Sequence, residues 1–181
     1  MEEEKGMYSS YFKTPLARFI IKGIVLFLLW DLVIYPYLIP GFLHSQLIGY
    51  LVGLSGIILN AFHYTVSSSN NDIFLDGIRT VHVGIPCDGI EAMGVFSCLI
   101  IAFPSGWLPK VWMILTGIVV IFLLNAVRIV VLAWLVAENH LTAFDLNHKY
   151  FFNIILYAFL LIILFLWSSG HATKKEGKHR D

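Results

Sequence analysis

Charge is scarce in this chain: Asp, Glu, Lys and Arg make up 13% of its 181 residues, while 58% are hydrophobic and 15% aromatic. That excludes an ordinary soluble domain, in which about a quarter of residues carry charge. Cysteine is scarcer still, with only Cys87 and Cys98. On one helix they would stand ~16 Å apart at 1.5 Å per residue, against the ~7 Å that a disulfide tolerates between Cα atoms, so they do not pair while that helix is intact. Neither has histidines at zinc spacing, and H-E-x-x-H, P-loop and dinucleotide glycine patterns are absent, so no metal or other cofactor is expected. The formal net charge is zero, and nothing supports a nucleic-acid partner.

What the chain does have is apolar blocks of roughly 17–25 residues, the length a helix needs to cross a ~30 Å hydrocarbon core. The expected fold is an all-α integral membrane protein, one membrane domain over residues 1–181 with four to five transmembrane helices. Residues 1–16 form the N-terminus, with Lys5, Lys13, Arg18 and Lys22 among the first 22 residues, 17–39 a first span, and 45–64 a glycine-rich interfacial or spanning helix. Residues 65–86 form an extracytoplasmic β-hairpin divided at Asp76-Gly77. Spans follow at 87–103, 110–137 and 148–168, then a basic tail at 169–181. The first apolar block is too long for a cleaved signal peptide and lacks a small-residue cleavage site. Basic ends at both termini place both in the cytoplasm and require an even number of crossings. Demoting 45–64 to the outer interface leaves four.

That topology brings three chemically capable groups to the outer mouth. Cys87 opens one span and His148 another, and Arg128, 18 residues beyond Lys110, lies ~27 Å along its helix by rise. An arginine inside a span costs about 2.5–3.5 kcal/mol on insertion scales. With Asn125 one turn earlier it forms a polar notch; the plainer reading is an interfacial anchor that snorkels. Cys98 reads as small apolar filler. Cys87 differs, because it follows Gly84-Ile85-Pro86 at an expected helix N-terminus, where free amides favour a thiolate, and Gly89 leaves room beside it. Asp88 and Glu91 oppose that effect. His148 reads as a general acid or base or as an ordinary interfacial histidine, with His140 its nearest rival. His44, His63 and His82 read as amphipathic surface residues near interfaces. Asp31 and Glu91 are the acidic residues of the spans to watch. A nucleophile, an imidazole and a fixed cation together suit acyl transfer.

These residues carry a resemblance. CDGI at 87–90, NAVRI at 125–129 and Asn147-His148 match in order, helix placement and spacing the motifs of the exosortase/archaeosortase family of integral-membrane cysteine transpeptidases. The resemblance covers about 82–168, and the short chain resembles compact bacterial, Bacteroidota-like members. It implies a protease or transpeptidase in the bacterial cytoplasmic membrane with its site facing outward. The substrates would be secreted proteins ending in a short motif, a membrane helix and a basic tail. Cys87 would form an acyl-thioester with the cleaved protein and pass it to a lipid or other envelope acceptor. Arg128 would be proton donor or clamp, and His148 base or transition-state stabiliser, with Asn125, Gly89 and Asp88 in support. Asp88 departs from the Ser or Thr that many members carry after the cysteine. Two other readings are a non-catalytic membrane assembly or scaffold subunit and, less favoured for want of an internal repeat, a small transporter.

Overall fold

A computed structural model describes residues 14–39, 41–139 and 152–177. Thr14 caps helix α1 (Pro15–Leu29), its Oγ1 accepting from the Ala17 N–H at 3.2 Å, and proline is tolerated at the first position because that N–H has no intrahelical partner anyway. The helix continues as a π-helical segment, Trp30–Leu38, around Pro36. Proline has no N–H to donate and its ring crowds the carbonyl four residues back. Wider turns relieve both, and the Ile39 N–H closes the segment on Ile34 O, five residues back, at 3.0 Å.

Helix α2 (Gly41–Ala61) is followed by strands β1 (Val66–Ser69), β2 (Asp72–Leu75) and β3 (Ile78–His82), a 3-10 turn (Ile85–Cys87), and helices α3 (Ile90–Ala102), α4 (Trp107–Ala137) and α5 (Phe152–Gly177). By length and composition α2 and α4 are long and apolar enough to cross a membrane, while α3 and Ile154–Phe165 within α5 are shorter apolar helices. The glycine-rich block, the weakest in sequence, is therefore one of those two. The block read as 87–103 forms a thirteen-residue helix, only ~20 Å long. Helix α4 begins at Trp107, ahead of the expected span start at 110, and admits Pro109 in its first turn.

The described residues form two compact units, one from Met1–Ile39 and Glu91–Gly117, the other from Pro40–Ile90 and Ile118–Asp181. In the first, Phe19 meets Phe103 edge to face at 5.9 Å, and the Cys98 thiol donates to Leu26 O at 3.5 Å. Trp30 lies against Gly94 and Phe96 against Gly117, where any β-carbon would collide with the rings. Cys98 is thus a packing residue with a satisfied thiol.

The second unit contains the antiparallel sheet, in the order β1-β2-β3. Asp76 (φ 52°) and Gly77 (φ 82°) join β2 to β3, and two successive positive φ values are what a tight hairpin turn of right-handed twist demands. Asp76 also ties in the start of β1, its backbone N–H donating to Thr65 O at 2.9 Å and its Oδ1 accepting from the Thr65 N–H at 3.1 Å. One contiguous core joins Ile48, Leu51, Val52 and Leu59 of α2, Ile73 and Leu75 of β2, Val81, Val83, Cys87, and Ala126, Ile129, Leu132 and Ala133 of α4. The three- and four-residue spacing on the helices and the two-residue spacing on the strands are the periods of single buried faces.

Candidate active site

The site belongs wholly to the second unit and starts from the break between Val83 and Ile90. Cys87 closes the 3-10 turn, its N–H donating to Gly84 O at 2.9 Å. Asp88 follows and Gly89 takes φ +80°, a value that suits only glycine without strain. Helix α3 therefore opens at Ile90, and Cys87 sits three residues ahead of it, not at the helix N-terminus that the sequence suggested. Left-handed Gly89 is the reason, since it interrupts the helical path between thiol and helix.

Asp88 takes the capping role instead. It is 1% exposed, and its Oδ1 accepts from the Ile90 N–H at 2.9 Å, while Oδ2 pairs with His44 Nδ1 of α2. A buried carboxylate is stable only when its oxygens are engaged, and here both are. Asp88 is thus an anchor for the turn that carries the cysteine.

Gly89 connects that turn to α4. A β-carbon at Gly89 would collide with the Asn125 side-chain amide and stand 3.3 Å from Ile121 Cγ2. Asn125, 2% exposed, donates its amide N–H to Ile121 O at 2.8 Å. One turn further along the same face lies Arg128, 6% exposed, with its guanidinium carbon 4.9 Å above the Phe152 ring of α5. Asn125 and Arg128 are therefore interior groups, and the reading of Arg128 as a snorkelling anchor is set aside. Cys87, 4% exposed, shares its apolar cluster with Ala126 and Ile129, the neighbours of Asn125 and Arg128 in sequence. Ser55 ties α2 to this stretch, its hydroxyl donating to Ala126 O at 3.3 Å.

The structure thus brings Cys87, Asp88, Gly89, Asn125 and Arg128 into one compact unit. His148 and its rival His140 lie outside the described residues. Asp31 and Glu91 are exposed. Sequence reasoning missed His44, which it placed on the surface. The signal was present, because 44, 48, 51, 55 and 59 repeat at three and four residues, and all are buried.

A second polar cluster sits on the sheet. Asp72 Oδ1 accepts from Arg79 at 2.8 Å and pairs with His82 Nδ1 at 2.7 Å. The Arg79 and His82 hydrogen bonds hold the Asp72 carboxyl below the usual range. Both partners are more than half exposed, so the cluster belongs to the strand pair and not to the cysteine site.

The family model described as transmembrane exosortase (Exosortase_EpsH) matches residues 6–167 of the chain. No curated protein and no solved structure matches it significantly.

Proposed function

We propose, from the premise that the chain belongs to the transmembrane exosortase family, that it is a membrane-embedded cysteine protease or transpeptidase with Cys87 as nucleophile. The observation that carries this is the contact between the cysteine turn and the polar face of α4 at Gly89 and Asn125, which puts the thiol and a buried arginine in one unit. In this reading the Cys87 thiolate attacks a backbone carbonyl near the end of a secreted protein. The C–N bond breaks, the departing amine takes a proton, and the new N-terminal fragment stays on Cys87 as a thioester. Water or a hydroxyl of an envelope acceptor, such as a membrane lipid or glycan, then attacks the thioester and returns the thiol.

Arg128 stabilises the oxyanion or holds a substrate carboxylate. His148 is the proton carrier, an assignment that rests on the family resemblance of Asn147-His148. The substrates are secreted proteins with a C-terminal motif, a membrane helix and a basic tail. The enzyme is a multi-pass protein of the bacterial cytoplasmic membrane, with the sheet and the cysteine turn on the outer side. Co-expression with such a substrate tests the chemistry. A hydroxylamine-labile adduct of the substrate's N-terminal fragment on Cys87 is expected, and release of product with no adduct under any quench would argue against covalent catalysis.

The burial of Cys87 favours one competing reading, a non-catalytic membrane assembly subunit. A small membrane-impermeant thiol reagent separates the two. The enzyme reading expects Cys87 to react in intact cells, and an inert Cys87 in a folded protein supports the assembly reading.

A further inference from the structure

We infer that His44 is a positioning residue for the Cys87 nucleophile, acting through its buried pair with Asp88. The inference rests on Cys87 being the nucleophile. Asp88 is covalently next to that cysteine and is among the most buried residues of the chain. Left alone, its carboxylate would place a negative charge beside the thiol in apolar surroundings and suppress the thiolate. His44, itself buried on the inner stripe of α2, pairs with one carboxylate oxygen, while the Ile90 N–H occupies the other.

Two consequences follow from one contact. The pair fastens the Cys87-Asp88-Gly89 turn between α2 and the start of α3, and it gives the Asp88 carboxylate a hydrogen-bond partner at the place where a thiolate has to form. Other ionisable groups among the described residues border this region. Arg128 stands on the buried face of α4 over Phe152, and Tyr64, at the edge of the same core, donates to Glu138 at 3.2 Å. Glu91 is exposed, and Asp72, Arg79 and His82 form their own cluster on the sheet. His44 is the imidazole that the fold places on the Asp88 carboxylate.

Removing His44 therefore does something that a loss of packing does not: it leaves a buried carboxylate oxygen without its imidazole partner, an effect that a second substitution can cancel. The experiment uses the full-length protein in membranes with Cys98→Ala, so that Cys87 alone reports. The rate of Cys87 modification by a small methanethiosulfonate reagent is measured in the parent, His44→Ala, Asp88→Asn and the double variant, together with substrate processing. His44→Ala is expected to slow modification roughly tenfold or more, the size of effect that a nearby unpaired charge exerts on a thiol. The added Asp88→Asn is expected to return the rate most of the way to that of the parent. Equal rates in the parent and His44→Ala would overturn the inference, as would a double variant no faster than His44→Ala. Processing by a Cys87→Ala protein would overturn the underlying reading instead, and the two failures are distinct because one is read from thiol chemistry and the other from product.

Discussion

At the residue scale the account stands on a few side chains that have no freedom to be anything else. Gly89 is the clearest, because its positive φ and its approach to Asn125 are independent reasons for glycine. Gly89→Ala is expected to lower stability by on the order of 2 kcal/mol, from backbone strain plus a forced shift of a buried amide. Thermal unfolding in detergent measures the loss, and processing should fall with it. Arg128 is held differently, as a flat cation over an aromatic face. Lysine keeps the charge but not the planar fork, so Arg128→Lys should retain a folded protein and lose most of its processing rate, while Arg128→Ala should abolish it. Equal rates for Arg128→Lys and the parent would remove any role for guanidinium geometry. Asp88 shows how composition alone misleads: judged by charge it opposes a thiolate, and judged by its partners it secures the turn.

At the element scale the β2–β3 pair is organised by Asp72, whose carboxyl is held low by Arg79 and His82. A carboxyl with a depressed native pKa adds stability above its unfolded value and loses that contribution as pH falls through the native one. Acid well below neutrality should therefore loosen the sheet, and Asp72→Asn should remove that part of the pH dependence. Hydrogen exchange of the β2 and β3 amides, followed across the acid range in the parent and the variant, reads both effects. These elements also show what was legible from sequence and why. Asp76-Gly77 announced a turn because few dipeptides accept two positive φ values. Strand β1 was unreadable because Ser67, Ser68 and Ser69 have little strand preference of their own and are extended through pairing with β2. The π-helical segment was hidden for a similar reason, since its geometry answers to one proline inside an otherwise uniform apolar run. The start of α3 was misplaced because a left-handed glycine between cysteine and helix has the same letter as a permissive one.

At the scale of the whole molecule the family is established, and hydrophobic blocks alone carried the reading of a helical membrane protein. The one-turn spacing of Asn125 and Arg128 marked a shared polar face on α4, but the buried face of α2 with His44 on it went unread, and which polar residues meet each other depends on contacts distant in sequence. The same scale carries the topology. In a Cys98→Ala background, Ser68→Cys on the exposed edge of β1 should react with an impermeant thiol reagent in intact cells, while Lys175→Cys in the basic tail should react only after permeabilisation. The reverse pattern would turn the protein over in the membrane and move the site to the cytoplasmic side.

Substrate processing by Cys87→Ala decides whether Cys87 performs the chemistry. In cells that make a tailed secreted substrate, the parent is predicted to release a shortened mature form, and the Cys87→Ala protein, present at equal level in the membrane, is predicted to leave the precursor intact. A mature product formed at the parental rate by Cys87→Ala would contradict the account.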